Sequence, residues 1–242
     1  MLQRTEGIVL RTIPYGEADL IVTYLTKDFG IVKVFAKSPR KTKSRFGSSL
    51  EPLTFSRIAF WGKEDAALPR LTQADIVHSF SSLRESLQCF IRVSELIEQT
   101  LHLVPERDTS RNVFPLLMKT LAIMEMGRQN PLIALFYKLK LLEIAGFLPG
   151  LHVCGRCGDS SNAFYLSHGT VLCVKCSEDE DVSSRLSPGV TAFYSSLIRW
   201  EISKLDRLKP DEGILKELAL LIDEHSRFVS EKNLRSREFR RV

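Results

Sequence analysis

Residues 18–37 read ADLIVTYLTKDFGIVKVFAK and indicate how the N-terminal part of the chain folds. Two runs rich in Val, Ile and Thr, Ala18–Lys27 and Gly30–Lys37, have the composition typical of β-strands. The residues Lys27-Asp28-Phe29-Gly30 between them are short, partly polar and end in glycine, as tight turns commonly do. The segment therefore predicts an antiparallel β-hairpin.

The second strand of this hairpin has two chemically different faces. Successive side chains of a strand point to opposite sides, so its residues fall into an aliphatic set and a cationic and aromatic set. The aliphatic set, which we expect to face the core, is Val32, Val34 and Ala36. The other set, which we expect to face outward, is Lys33, Phe35 and Lys37.

The same strand-like texture extends from residue 4 to about 80, where Gly and Pro separate short runs of Val, Ile, Thr and Phe. Besides the hairpin, the strand candidates are Arg4–Arg11, Leu53–Gly62 and Leu68–Phe80. Five short strands without intervening helices predict a small closed barrel. We expect an OB-fold nucleic-acid-binding barrel over residues 1–80, and the pattern also leaves an SH3-like barrel open.

After Phe80 the hydrophobic period changes from two to about 3.6 residues, which is typical of helices. Further helices are predicted near residues 110–127, 131–146, 187–206 and 213–232, with Pro131 and Pro188 as start signals. The sequence therefore predicts a second, all-α domain over residues 81–242. An irregular segment at about residues 150–181, rich in Gly, Ser and Asp, interrupts it and holds most of the cysteines.

The cysteines are the most specific motif in the chain. Two Cys-x-x-Cys pairs are separated by fifteen residues, a spacing expected of a four-cysteine zinc site. The predicted ligands of one zinc ion are Cys154, Cys157, Cys173 and Cys176. Four thiolates leave no open coordination position, so we interpret the metal as structural, not catalytic. His152 and His168 flank the pairs and are alternative ligands.

A basic segment follows the hairpin and carries a charge equal to the whole net charge of +5. Proteins that bind single strands combine cations for phosphates with aromatic rings on which bases stack, at ~1–3 kcal/mol per base. Phe35 and Phe46 are the candidate rings, and the alternative is that both fold back into the barrel. The predicted DNA-binding residues are Lys33, Phe35, Lys37, Arg40, Lys41, Lys43, Arg45 and Phe46.

The rest of the sequence narrows the function by what it lacks. It has no phosphate-binding glycine loop, no Gly-x-Ser-x-Gly and no His-Glu-x-x-His, so we expect a binding protein and not an enzyme. No apolar run reaches membrane-spanning length and no signal peptide is evident, which favours a cytosolic protein. The basic stretch Arg227–Val242 either extends a DNA track or docks on the helical domain.

These motifs, in this order, resemble those of the bacterial RecO recombination-mediator family. Outside the cysteines, the matching stretches are Glu6–Leu10, Lys43–Pro52, Thr72–Asp75, Phe136–Pro149 and Leu234–Arg237. The resemblance implies an N-terminal OB-fold, a helical C-terminal domain and a zinc site that some members lack. Each matching stretch is weakly specific by itself, and their shared order carries the resemblance.

The resemblance also implies an activity and its partners. Family members anneal complementary single strands and, with the protein RecR, help RecA displace single-strand-binding protein, on whose acidic C-terminal tail they dock. The expected partners are therefore single- and double-stranded DNA, RecR and that tail. A different class remains open from the residues alone: a zinc-ribbon RNA-binding accessory factor of transcription or translation. An enzyme with an unrecognised site is a third possibility.

Overall fold

The structure is a computed structural model of the chain, and it describes residues 1–40, 46–62, 67–109, 112–127, 130–177 and 181–230. Five strands form a closed barrel in the order β1-β2-β3-β5-β4. All neighbouring pairs are antiparallel except β3 and β5, whose short parallel pairing joins Phe35 to Arg70 and closes the barrel. The strands are β1 (Leu2–Tyr15), β2 (Asp19–Thr26), β3 (Gly30–Ala36), β4 (Phe55–Trp61) and β5 (Arg70–His78).

The barrel core confirms the alternation predicted for the hairpin. On β3 the aliphatic set is buried, whereas Lys33 is exposed and Phe35 is half-buried. Lys37, which directly follows the strand, is also exposed. A β-bulge between Val9 and Arg11 bends the long first strand, which allows it to pair with β2 along one part and with β4 along another. The core residues include Val9, Val22, Tyr24, Val34, Ile58, Phe60 and Leu71.

A segment far along the chain pairs with the start of β3. Glu106 forms a parallel bridge with Ile31, and the backbone N–H of Arg107 donates to the Ile31 carbonyl at 2.9 Å. Gly30, with a φ of +63°, lies so close to the Asp108 backbone that a Cβ atom would be 2.0 Å from the Asp108 carbonyl oxygen. Glycine is therefore required here by both conformation and space.

The remaining long elements are helices, as the change of period predicts. They are α1 (Ser81–Glu85), α2 (Leu87–Leu103), α3 (Val113–Glu125), α4 (Pro131–Ile144), α5 (Pro188–Arg199) and α6 (Glu212–Ser230), with a 3₁₀ turn at Ile202–Arg207. Two predicted helices are broken. Ser86 takes an extended conformation and its hydroxyl accepts from the Cys89 N–H at 3.4 Å, so it separates α1 from α2. Extended Trp200 ends α5 before the 3₁₀ turn.

The chain divides into two compact units, one of Met1–Ile97 with Val104–Met126 and the other of Glu98–Leu103 with Gly127–Val242. The change from strands to helices lies at residues 78–81, yet α1, α3 and most of α2 group with the barrel. The domain ranges 1–80 and 81–242 remain a prediction.

The core of the second unit contains polar groups with defined partners. The Tyr137 hydroxyl on α4 lies 2.6 Å from the Thr100 hydroxyl, and both residues are fully buried. Lys138, the next residue of α4, is 5 % exposed and its Nζ lies 2.6 Å from an Asp223 carboxylate oxygen on α6. Buried charges are stable only when they are paired in this way, so α4 and α6 are held in one register.

Candidate metal centre and nucleic-acid interface

The structure brings the four predicted cysteine ligands together. Their Sγ atoms all lie within 4.8 Å of one another, and those of Cys157 and Cys173 are 3.5 Å apart. A zinc ion bound tetrahedrally by sulfur at ~2.3 Å requires sulfur separations of roughly 3.8 Å, so the cluster has the dimensions of a zinc site. Cys154 is buried, Cys157 is exposed and the other two are intermediate.

Backbone geometry shapes the first ligand pair. The Gly158 N–H donates to the Cys154 carbonyl at 2.9 Å, and the Cys154 N–H donates to the Asp159 carbonyl at 2.8 Å. Gly158 has a φ of +81°, in the left-handed region that favours glycine. The chain therefore reverses immediately after Cys157, and both thiols of the pair point to the same place.

A small sheet presents the second pair to the first. Strand β6 (Ala163–Tyr165) pairs with β7 (Thr170–Val171) and β8 (Ser184–Arg185). The Gly155 N–H donates to the Val171 carbonyl at 3.0 Å and thus ties the first cysteine turn to β7. Just after β7, the Cys176 and Ser177 N–H groups both donate to the Cys173 carbonyl, which forms the second tight turn.

Hydrogen bonds within the cluster lower the pKa of Cys154 and raise the pKa values of Cys157 and Cys176. Hydrogen bonds from backbone N–H groups, chiefly that of Cys173, lower the pKa of the Cys154 thiol to about 6. Hydrogen bonds with the Cys157 and Cys173 sulfurs raise the pKa of Cys176 to about 12. Because neighbouring thiolates repel each other, a divalent cation is the group that would allow all four to ionise together.

The histidines predicted as alternative ligands are not part of this cluster. His152 lies against the Tyr194 ring, with ring centroids 5.5 Å apart, and its Nδ1 is 3.3 Å from the Ser195 hydroxyl. Over the described parts of the chain, the four cysteines are the only group of metal-ligating side chains found close enough to hold an ion. The donor set is therefore sulfur alone, which suits a closed structural site.

The described part of the predicted DNA-binding surface lies on and after β3. Lys37 and Arg40 are exposed, and the Arg40 N–H donates to the Ala18 carbonyl at 3.3 Å. Lys33 forms an ion pair with Glu106, a partner 73 residues away that no local pattern predicts. Lys33 is therefore partly neutralised, which leaves Lys37 and Arg40 as the stronger described cations of this surface.

Phe46 does not belong to that surface. It is 4 % exposed and packs in the barrel core with Leu50 and Leu71, so its ring presents no face to a base. This corrects the prediction of a stacking role and matches its alternative, in which the ring folds back into the barrel. Phe35, by contrast, is only half-buried. Lys41, Lys43 and Arg45 lie outside the described residues, as does the stretch from 231 to 242.

Among the described helices, none is both long enough and apolar enough to span a membrane.

Comparison with known proteins identifies the family. Residues 1–80 match the family model described as Recombination protein O N terminal, and residues 85–238 match the one described as Recombination protein O C terminal. A protein of Thermodesulfovibrio yellowstonii named DNA repair protein RecO is 41 % identical over 227 residues, covering 91 % of this chain and 90 % of its own length.

More distant relatives carry the same name. The protein of Dehalococcoides mccartyi is 31 % identical over 95 % of this chain and 91 % of its own length. That of Halalkalibacterium halodurans is 26 % identical over 99 % of this chain and 94 % of its own length. Two consecutive family models that together span nearly the whole chain, with these relatives, show that the chain belongs to the RecO family.

Proposed function

We propose that this protein is a recombination mediator of bacterial DNA repair. In this role it anneals complementary single strands and, with RecR, assists the loading of RecA onto DNA coated by single-strand-binding protein. The observation that carries the proposal is the match of both RecO family models along the chain, in the order of a barrel followed by helices. The relatives share the name DNA repair protein RecO, which supports a role in DNA repair.

Annealing requires no covalent chemistry, so the protein acts as a binder and not as an enzyme. Two strands repel each other through their phosphates, and a cationic surface reduces this repulsion without reading the base sequence. The proposed surface for single- and double-stranded DNA consists of Phe35 and the cations Lys33, Lys37, Arg40, Lys41, Lys43 and Arg45. Exposure of Lys37 and Arg40 beside the barrel supports it.

The metal of the cysteine cluster is proposed to be one zinc ion with a structural role. When bound, zinc would cross-link the two cysteine turns and supply no reactive position. The residues that hold it would be Cys154, Cys157, Cys173 and Cys176, whose sulfurs have the required spacing. The proposed location is the bacterial cytoplasm, at the nucleoid, and the further proposed partner is the C-terminal tail of single-strand-binding protein.

An annealing assay tests the function directly. Two complementary oligonucleotides, one carrying a donor and the other an acceptor dye, are coated with single-strand-binding protein and mixed with the purified protein. Energy transfer should rise much faster with the protein than without it. When RecR is also present, RecA should form filaments on the coated strand. Binding without faster annealing would contradict the mediator role, and equal affinity for structured RNA would favour the RNA-binding alternative.

Salt dependence tests which cations contact phosphate. Each Lys or Arg that pairs with a single-strand phosphate contributes ~0.7 to the slope of log affinity against log salt. Replacing Arg40, Lys41 and Lys43 together by Ala should therefore reduce that slope by roughly two and weaken binding to all sequences alike. The matched control, with the same change of charge, replaces the exposed barrel cations Arg4, Lys27 and Arg57, the last two of which lie near Glu6.

A further inference from the structure

The strand register of the barrel aligns outward side chains in one continuous row. Phe35 on β3 pairs with Ile21 on β2 and with Arg70 on β5, and Arg70 pairs in turn with Trp61 on β4. Paired residues of neighbouring strands point to the same side of a sheet and lie within contact distance. The outer row, as we call it, is Ile13, Ile21, Phe35, Arg70, Trp61 and Leu2.

Burial confirms that this row faces away from the core. Trp61 is 62 % exposed and Arg70 is exposed, whereas the next residue on each strand, Phe60 or Leu71, is at most 2 % exposed. A tryptophan exposed to this degree leaves a large apolar area in water, and tryptophan is the side chain best suited to stacking on a planar partner. The centre of the outer row is thus an exposed aromatic–cation–aromatic sequence.

Tyr15 enlarges the aromatic part of the row. Tyr15 is 55 % exposed, and its ring meets the Phe35 ring edge to face, with centroids 5.9 Å apart and planes at 88°. An edge-to-face pair holds both rings in a fixed orientation. Phe35 is therefore a supported ring at the middle of the surface, with Tyr15 on one side and Arg70 on the other.

The described start of the basic segment is fixed beside this row. The Phe35 N–H donates to the Pro69 carbonyl at 2.8 Å, and three residues on the Ser38 N–H donates to an Asp19 carboxylate oxygen at 2.6 Å. Asp19 pairs in register with Tyr15, so Lys37 and Arg40 leave the barrel next to the aromatic rings. The Asp19 carboxylate accepts the hydrogen bond from the Ser38 N–H, so part of its negative charge is offset by that backbone group.

We propose that the row Trp61–Arg70–Phe35, with Tyr15, stacks on the unpaired bases of a single strand while the adjacent cations Lys37 and Arg40 bind its phosphates. The proposal rests on the proposed DNA-binding function and adds the base-contacting half of the surface. Arg70, the cation at the centre of the row, is complementary to a polyanion, and its guanidinium can also stack on bases. The same charge would oppose burial of the row against an apolar protein surface. Bases inside a duplex present no free face, so the row selects single strands.

Tryptophan fluorescence tests the proposal without changing the row. The chain has two tryptophans, so replacing Trp200, which lies at the end of α5 in the other unit, by Phe leaves Trp61 as the only strong emitter. Titration with an oligo(dT) that forms no secondary structure should quench this emission, because stacking brings the indole into contact with the bases. The same length of duplex should bind with little quenching.

Substitutions measure what the row contributes. Trp61→Ala and Arg70→Ala should each weaken single-strand binding about tenfold, within the range for loss of one stacked base, and leave duplex binding nearly unchanged. Trp61→Ala should leave the salt slope unchanged, because stacking releases no counterions. The matched controls are Ile76→Ala on β5 and Arg57→Ala on β4, both exposed and outside the row, which should change affinity less than twofold.

The outcomes separate this proposal from the function on which it rests. Single-strand binding that is tight and salt-dependent, yet leaves Trp61 unquenched and survives both row substitutions, would overturn the stacking row and leave the DNA-binding function intact. Absence of any DNA binding would overturn both. Self-association that Trp61→Ala abolishes, with no change in single-strand affinity, would also overturn it and assign the row to a second copy of the chain.

Discussion

The barrel differs from the segment with the proposed zinc site in what holds it together, although both are small β-structures. We call this segment, residues 150–177 with strand β8, the zinc segment. The barrel closes over apolar side chains from strands of 7 to 14 residues, and its core members are almost completely buried. The segment around the cysteines has strands of only two or three residues, and the buried cluster inside it consists of Cys154, Ala163, Tyr165 and Leu172. The barrel has a large hydrophobic core, whereas the segment has a small one that adjoins a group of sulfur atoms.

This difference shows how each region obtains its stability. Burial of apolar area stabilises a fold by roughly 25 cal/mol per Å², so a region with a small apolar cluster gains more from a cross-link of another kind. The proposed zinc ion would fill that role, because the free energy of metal binding is coupled to folding. We therefore expect the barrel to respond to changes of side-chain volume and the zinc segment to respond to loss of metal or of its polar partners.

Removal of the metal should give the largest effect and should be confined to the zinc segment. Apparent binding free energies of structural zinc are ~10–16 kcal/mol at neutral pH, far more than such short strands can replace. Chelation, or Cys154→Ser, should therefore unfold the segment between Gly150 and Ser177 while the barrel remains folded. Hydrogen exchange measured by mass spectrometry, together with metal analysis, separates the two regions.

The control for loss of the metal is a cysteine outside the cluster. Cys89, on α2 and outside the cluster, is the matched control, and Cys89→Ser should retain one zinc per chain and normal exchange. Zinc-free protein whose segment still exchanges slowly would show that sulfur is not what stabilises it. Loss of DNA binding by Cys154→Ser with the segment still folded would contradict the structural role of the metal.

A cavity in the barrel core should give the reverse pattern. Phe60 is 2 % exposed and packs edge to face on Phe29, with centroids 5.7 Å apart. Phe60→Ala should lower the free energy of unfolding of the barrel by about 3–5 kcal/mol, since a large buried ring is replaced by a void. Urea unfolding, monitored by hydrogen exchange in β1–β5, measures this loss of stability. The control is Ile76→Ala on the surface of β5. Loss of zinc from this variant would contradict the separation of the two regions.

The ion pair between α4 and α6 extends the comparison to the helices beside the zinc segment. Lys138→Met removes the ammonium that lies beside the Asp223 carboxylate, in a site where the two side chains are 6 % and 17 % exposed. The free energy of unfolding should fall by about 3 kcal/mol, because removal of one member of a buried ion pair takes away compensation for the charge of the other. The double variant Lys138→Met with Asp223→Leu should recover most of the loss in urea unfolding. Equal losses in both variants would mean that packing, and not charge, dominates.

The sequence predicts both regions, but from two different patterns. The barrel strands follow from alternation, since a period of two places the same residues in the core whatever the rest of the chain does. The cysteine cluster follows from ligand spacing, since two Cys-x-x-Cys turns joined by a hairpin can meet at one ion. Both patterns are local, and the structure places both as predicted.

What the sequence did not predict depends on contacts between distant residues. Glu106 reaches Lys33 across 73 residues, and the outer row is created by strand register, so Arg70 and Trp61 carry no motif. Phe46 follows a polar segment without any period, which is why alternation could not place its ring in the core. The break at Ser86 arises where a hydroxyl caps a helix within a continuous apolar pattern.

The smallest expected change in stability concerns a buried histidine that packs on the zinc segment. His225 on α6 is 3 % exposed, its Nε2 lies 2.8 Å from the Phe147 carbonyl, and its Nδ1 is buried without a hydrogen-bond partner. Its ring meets the turn between β6 and β7, where a Cβ atom on Gly169 would lie 3.0 Å from Cε1. Burial lowers the pKa of His225 below its ordinary value, and the hydrogen bond to Phe147 only partly opposes this.

The pKa of His225 makes stability depend on pH in a definite direction. The folded protein keeps the ring neutral, whereas the unfolded chain takes up a proton near its ordinary pKa of about 6.5. The contribution of this group is therefore complete above that pH and is lost as pH falls towards the lower folded pKa. The variant His225→Gln separates titration of the ring from its hydrogen bond, because glutamine retains an N–H donor for the Phe147 carbonyl but cannot titrate. In zinc-loaded protein, urea unfolding at pH 7.5 and 5.5 should show a larger loss of stability for the wild type than for this variant. The cysteine thiolates titrate in both proteins, so the difference isolates the histidine, and parallel pH profiles would show that the ring is not held neutral.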